Sequence, residues 1–195
     1  MSRVLLATRN LGKVAELQRI LAPYALVLEA AGYEPGPETG TSFAANALAK
    51  AREGVAFTGL PSVADDSGLT VDALNGMPGI LSARWAGRHG DDLANLELVL
   101  GQLSDVPDDR RGAAFVCAAA YALPDGRSEV VLGELRGSLV REPRGTNGFG
   151  YDPVFVPVGY DVTSAELAPA EKDAISHRGQ AFRALAPLLA TALAD

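Results

Sequence analysis

The chain has 195 residues, 48% of them hydrophobic and 21% charged, which fits a single globular domain (1–195) able to bury a core without disulfides. A formal net charge of −7 excludes the broad basic surface needed to coat duplex DNA or RNA, while leaving room for a few cations converging on one small anion. No apolar run reaches the ~18 residues of a membrane span, and no signal-peptide pattern opens the sequence, so a cytoplasmic protein with neither nucleic-acid nor membrane partners is expected.

In chain order, Arg3 to Thr8, with Val4-Leu5-Leu6-Ala7 inside it, predicts a short buried strand, and Leu11 to Leu21 a helix with Asn10 as its cap and Leu11, Val14, Leu17 and Leu21 on its apolar side. Ala25 to Ala30 predicts a second strand. A Gly/Pro loop with Glu34 and Glu38 follows, and then a helix capped by Thr41 or Ser42 and running to Phe57. On that helix Phe43, Ala47, Leu48, Ala51 and Val55 form the apolar arc, with Asn46, Lys50 and Glu53 together beside it. Ser62-Val63-Ala64 leads into an acidic turn, Asp65-Asp66-Ser67-Gly68, and Leu69-Thr70-Val71 leads out. Residues 75–90 read as irregular. Asp91 caps a helix through Leu103, and two strands, Arg111 to Leu123 and Ser128 to Leu135, surround the turn Pro124-Asp125-Gly126. A separate strand, Gly137 to Arg141, precedes the loop Gly145-Thr146-Asn147-Gly148-Phe149-Gly150. A short strand over Val154-Phe155-Val156, a polar segment with Lys172 and a helix from His177 to Leu193 close a mixed α/β unit. The single Cys117 reads as a strand-core thiol, since one cysteine forms no internal disulfide and no Cys/His cluster offers a zinc site.

Of 17 basic residues only Lys13, Lys50 and Lys172 are lysine. In a chain whose default cation is arginine, a compact rotatable ammonium marks places where a point charge is wanted. Lys13 ends Thr8-Arg9-Asn10-Leu11-Gly12-Lys13, a strand-to-helix turn whose free N–H groups favour an anion. Two readings stand equally there: a phosphate held jointly by Lys13 and the helix start, or a plain cap with Lys13 in water. The spacing is not that of a Walker loop. Adjacent carboxylates Asp65 and Asp66 repel unless a cation is present. In extended backbone they point to opposite faces, so a single hard ion such as Mg²⁺ would meet mainly one of them, with Glu38 as the candidate second carboxylate. A solvated Asx-turn is the alternative. Phe149 lies between glycines, either to stack on a planar ligand or to plug a tight bend. His177 and Arg178 open a helix, where they serve either to read carbonyl acceptors on a base edge or to cap. His89 is assigned no role.

Together these residues resemble the inosine triphosphate pyrophosphatase family. The resemblance runs through Ala7-Thr8-x-Asn10-x-x-Lys13, Glu38-Thr39-Gly40, Asn46-Ala47-x-x-Lys50-Ala51 and Ala64-Asp65-Asp66-Ser67-Gly68-Leu69. It continues through Pro78-Gly79-x-x-Ser82-Ala83-Arg84, Phe149-Gly150-Tyr151-Asp152-Pro153, Glu171-Lys172 and Ser176-His177-Arg178-Gly179. It implies an elongated mixed β-sheet flanked by helices, two lobes with a central substrate cleft, and a homodimer. It also implies Mg²⁺-dependent hydrolysis of non-standard purine nucleoside triphosphates (ITP, dITP, XTP) to the monophosphate and pyrophosphate. By the same resemblance Thr8, Arg9, Asn10, Leu11, Gly12 and Lys13 hold phosphate, with Lys50 adding charge. Asp66 binds metal with Glu38 and is the general base, and Ser67 contacts substrate. Phe149, Gly150, Tyr151 and Asp152 hold base and sugar, and Lys172, His177 and Arg178 complete the pocket. Arg9 and Asn147 depart from the usual pattern, where small residues or Gly stand; Asn tolerates the left-handed conformation a glycine would adopt. The rival expectations are a pyrophosphatase for other modified nucleotides and a non-catalytic nucleotide-binding module.

Overall fold

A computed structural model describes residues 3–8, 11–24, 27–30, 32 and 36–194. Among these residues six strands form one sheet in the order β2-β1-β3-β4-β5-β6: β1 Arg3–Leu6, β2 Val27–Ala30, β3 Ser62–Val71, β4 Gly112–Ala122, β5 Ser128–Leu139 and β6 Phe155–Pro157. β1 pairs parallel with β2 and β3, while β5 pairs antiparallel with β6, so the sheet is mixed. Among the described residues five α-helices accompany it: α1 Leu11–Leu21, α2 Phe43–Thr58, α3 Asp92–Gln102, α4 Pro169–Ile175 and α5 His177–Ala194. No described helix is long and apolar enough to cross a membrane. The expected caps are present where described: the Ser42 side chain accepts the Ala45 N–H, and the Asp91 side chain accepts that of Ala94.

The chain forms two compact units. One comprises 1–66, 117–133 and 177–195, the other 67–116 and 134–176. In the first, strand alternation sorts side chains onto two faces. Val4, Leu6, Val63, Cys117, Ala119 and Tyr121 pack with Leu17 of α1 and Phe182, Leu185 and Leu189 of α5. Ala64, Ala118, Ala120 and Ala122 face the opposite way and meet Ala47 and Ala51 of α2. Alanines on both surfaces bring α2 close to the sheet. In the second unit Leu69, Val71, Ala113, Phe115 and Leu139 meet Leu96 and Val99 of α3 and Leu103 just beyond it, along with Tyr151, Val154 and Phe155. The Phe115 and Phe155 ring centroids lie 4.4 Å apart. Each fully buried aliphatic side chain contributes roughly 1.5–3 kcal/mol.

Two expectations are corrected. Residues 65–68 are no turn: they lie inside the uninterrupted ten-residue strand β3. The separate strand expected over Gly137 to Arg141 is the end of β5, which runs unbroken to Leu139.

Candidate active site

Because β3 passes straight through Asp65 and Asp66, alternation sends the two carboxyls to opposite faces of the first unit. Asp65 follows Val63 toward α1 and α5, and Asp66 follows Ala64 toward α2. On the first face Asp65 Oδ2 receives Lys13 Nζ at 2.9 Å and Arg178 Nε at 3.2 Å. Arg178 Nη1 also reaches Glu16 Oε2 at 2.5 Å. All of Asp65, Glu16 and Arg178 are buried. Burial alone would raise Asp65, but the charges of Lys13, Arg178 and Lys50 outweigh it and hold this carboxyl well below the ordinary carboxylate range. Arg178 is affected in the same way: burial works to lower it, and Asp65 and Glu16 raise it instead. Burial pushes the Cys117 thiol, 3.9 Å from Asp65 Oδ2, far up, with the Asp65 charge adding to the rise, so it offers no thiolate nucleophile.

On the α2 face the buried Asn46 acts as a clamp. Its Oδ1 accepts the Gly40 N–H at 2.8 Å, and its Nδ2 donates to Asp66 Oδ2 at 2.8 Å. One helical turn on, Lys50 Nζ donates to Glu38 Oε1 at 2.7 Å and lies 3.8 Å from Asp66 Oδ1. Glu53, one residue short of a further turn, accepts the Gly36 N–H at 3.0 Å. The helical stripe Asn46-Lys50-Glu53 therefore fastens the 36–40 loop to α2 and lines a recess of about 270 Å³ together with Glu38, Thr39 and Gly40. Burial raises Asp66 above the ordinary carboxylate range. Lys50 opposes this and the Glu38 charge adds to it. Lys50 is itself raised: burial acts to lower it, and Asp65, Asp66 and Glu38 prevail. Two sequence neighbours are thus driven apart in acidity, the pattern that separates acid from base roles in one site.

Two carboxylates converging on one ammonium, with Glu38 helping to raise Asp66, leave negative charge that a hard divalent cation would relieve. Among the described residues no group of three or more His, Cys, Asp or Glu could form an all-protein cage. Asp66 and Glu38, set against the same ammonium, are a donor pair of the kind a hard cation such as Mg²⁺ takes, its shell completed by water and substrate phosphate.

The remaining candidates fall as follows. Thr8 is half-buried just beyond β1 and gives its N–H to Leu6 O at 2.8 Å. Arg9 and Asn10 lie outside the described residues, and Leu11 and Gly12 form the first positions of α1. His177 and Arg178 open α5, both buried. In the second unit Ser67 continues β3. Lys172 Nζ donates to Asp152 Oδ2 and stands 5.2 Å from the Phe149 ring centroid. The same Asp152 oxygen accepts the Phe149 N–H at 2.9 Å. Gly148, at φ +77°, leaves the room they use, since a Cβ there would run into the Asp152 carboxylate and Lys172 Nζ. Phe149 is 38% exposed while Tyr151 is buried and donates its hydroxyl to Ser82 O at 2.8 Å. Burial, with Asp92 adding, raises Tyr151, so it stays a donor. The sequence reading passed over Glu16 and treated Asp65 only as the neighbour of Asp66. Glu16 stands off the arc of Leu11, Val14, Leu17 and Leu21, so the helical pattern gave no signal for its burial.

The sequence profile of the Ham1 family matches residues 4–188. The chain is 60% identical to the dITP/XTP pyrophosphatase of Nocardia farcinica, with all of this chain and 98% of that protein covered. It is 58% identical to the dITP/XTP pyrophosphatase of Streptomyces coelicolor, over 97% and 98% of the two. Among solved structures, a nucleoside-triphosphatase / dITP/XTP pyrophosphatase from Mycobacterium abscessus matches with a TM-score of 0.77 at 60% identity, covering 94% of this chain and 98% of that one. A HAM1 protein from Coxiella burnetii matches with a TM-score of 0.88 at 41% identity, over 97% and 98%.

Proposed function

The chain belongs to the Ham1 family, and from that membership together with the Asp66-Glu38-Lys50 geometry we infer that it is a dITP/XTP pyrophosphatase. It hydrolyses non-standard purine nucleoside triphosphates, ITP among them, to the monophosphate and pyrophosphate. It works as one catalytic domain over residues 1–195, as a homodimer in the cytoplasmic nucleotide pool. The observation that carries the reading is the pair of neighbouring carboxyls with opposite environments: Asp65 locked as an anion by Lys13 and Arg178, and Asp66 raised beside Glu38 and Lys50.

The assigned roles follow from those environments. Lys13 and Lys50, with the segment Thr8 to Gly12, take the triphosphate, whose oxygens offer the ammonium groups a partner better matched in charge than a single carboxylate. Asp66 and Glu38 would hold Mg²⁺, which supplies positive charge to the phosphate oxygens when bound. Asp66 directs a water at the α-phosphorus and accepts its proton. The water oxygen forms the new P–O bond as the bridging bond to the β-phosphate breaks, and the electron pair leaves with pyrophosphate. Asn46 keeps Asp66 in one rotamer through its 2.8 Å hydrogen bond. Ser67 contacts substrate, while Phe149, Gly150, Tyr151 and Asp152 hold base and sugar, with Lys172 above the Phe149 ring. His177 and Arg178 at the start of α5 are assigned to the 6-keto edge. Adenine, with an amino group there, would leave donors unsatisfied, and such mismatches discriminate by roughly 10⁴-fold.

The test is a panel of dITP, ITP, XTP, GTP and ATP with Mg²⁺, scored for the phosphorus product. Pyrophosphate from dITP and XTP, with ATP turned over at least about 100-fold less efficiently, is expected. Equal turnover of ATP, or orthophosphate as the product, would overturn the assignment; tight binding without turnover would make the chain a nucleotide-binding module.

A further inference from the structure

Backbone hydrogen bonds hold the two ends of the loop that carries Phe149 and Tyr151: the Asn147 N–H donates to Ala165 O at 2.9 Å and the Asp152 N–H to Phe149 O at 3.3 Å. Gly148 and Gly150 are left-handed, at φ +77° and +61°, so the two peptides around Phe149 depend on side-chain acceptors for their orientation. Two aspartates supply these in succession. Asp152 Oδ2 takes the Phe149 N–H at 2.9 Å, and Asp92 Oδ2 takes the Gly150 N–H at 2.8 Å. Asp152 belongs to the loop itself. Asp92 comes from 58 residues away, at the first position of α3.

α3 is a firm base for such a contact. Leu96, Val99 and Leu103 sit in the same core as Tyr151. Asn95, fully buried, accepts the Ala86 N–H at 2.7 Å. At the far end the buried Arg111 donates to Leu103 O at 2.7 Å, and to Leu139 O at 2.8 Å. Asp92 therefore joins a helix held at both ends to the one glycine whose peptide precedes Tyr151. An acidic residue in a first helical turn is usually explained by the helix dipole alone; here the carboxylate has a second, specific partner.

We propose that Asp92 is a positioning residue: by holding the Gly150 peptide it sets the directions in which Phe149 and Tyr151 project, and so the fit of the planar base. This rests on the reading of the loop as the nucleobase holder. The contact faces solvent, so its effect is modest.

The experiment compares Asp92→Ala with Asp92→Asn, which keeps an oxygen acceptor at the same reach, in the full chain. Amide hydrogen exchange at Gly150 reads the contact without reference to activity, and steady-state kinetics with dITP read its consequence. In Asp92→Ala, exchange at Gly150 rises about fivefold and KM for dITP rises about fivefold, with kcat changed less than twofold. Asp92→Asn keeps both within about twofold of the parent. Unchanged exchange in Asp92→Ala overturns the contact. Raised exchange with unchanged KM overturns its role in base fit, and so does a loss confined to kcat or equal losses in both variants. A parent protein inert on dITP and XTP would instead defeat the proposed function, while the exchange comparison still decides whether Asp92 holds Gly150.

Discussion

Asp65 and Asp66 share a peptide bond and little else. Lys13, Arg178 and Lys50 hold the first below the ordinary range against its burial, whereas burial raises the second with help from Glu38. Removing each charge should therefore have opposite consequences for the metal-free protein. Asp65 is depressed in the folded state, so the stability it provides is fully present above the unfolded carboxylate range near ~4 and fades as pH falls through the lower folded value. Asp66 is raised, so its ionisation costs stability at neutral pH, and that cost disappears as pH falls. Asp65→Asn should lose about 3 kcal/mol in urea unfolding at pH 7, because Arg178 and Lys13 lose their shared anion, and the deficit relative to the parent should shrink below pH ~4. Asp66→Asn should be as stable as the parent or more so, yet its kcat should drop by about 10³-fold. A loss of stability in both variants, or parental turnover in Asp66→Asn, would contradict this division. The opposed directions of the pair were readable from strand alternation. Their partners were not, because Glu16 and Arg178 meet across 162 positions of sequence, a separation no local pattern encodes.

Helices and strands were legible to the degree that local chemistry determined them. Asp91 announced α3 as a cap residue, the pair Thr41 and Ser42 announced α2 with Ser42 proving to be its cap, and the Asn46-Lys50-Glu53 stripe was visible on a helical wheel before its partners were known. Glycine misled the reading of strands. Gly68 was placed in a turn and Gly137 at the start of a separate strand, but each sits within a longer strand where a neighbour crowds it: a Cβ would meet Gly79 O and the Ser82 hydroxyl at the first, and Val156 O and the Phe155 ring at the second. The composition of a turn and that of a close approach are the same in sequence. Gly133 is the case with a measurable consequence. A Cβ there would collide with His177 O and the Ala181 N–H, both backbone of α5, which cannot swing aside as a side chain can. Gly133→Ala should cost about 2–3 kcal/mol in urea unfolding, and a near-neutral result would mean that α5 rides more loosely on β5 than its packing indicates.

The molecule as a whole returns twice to its first unit and once to its second, so no linker separates them and no compositional boundary could have marked them. The mixed α/β class was nonetheless recoverable, since β1, α1, β2 and α2 alternate at the start and β4 and β5 flank a short turn. The distribution of lysine has a practical consequence. Each of the three side chains is only 12–15% exposed, and each is set against a carboxylate. Mild acylation with an amine-directed reagent should modify all three lysine peptides slowly while the fold persists and rapidly together once urea opens it, as mass spectrometry of the digested protein would record. Surface attachment through side-chain amines would be inefficient for the same reason.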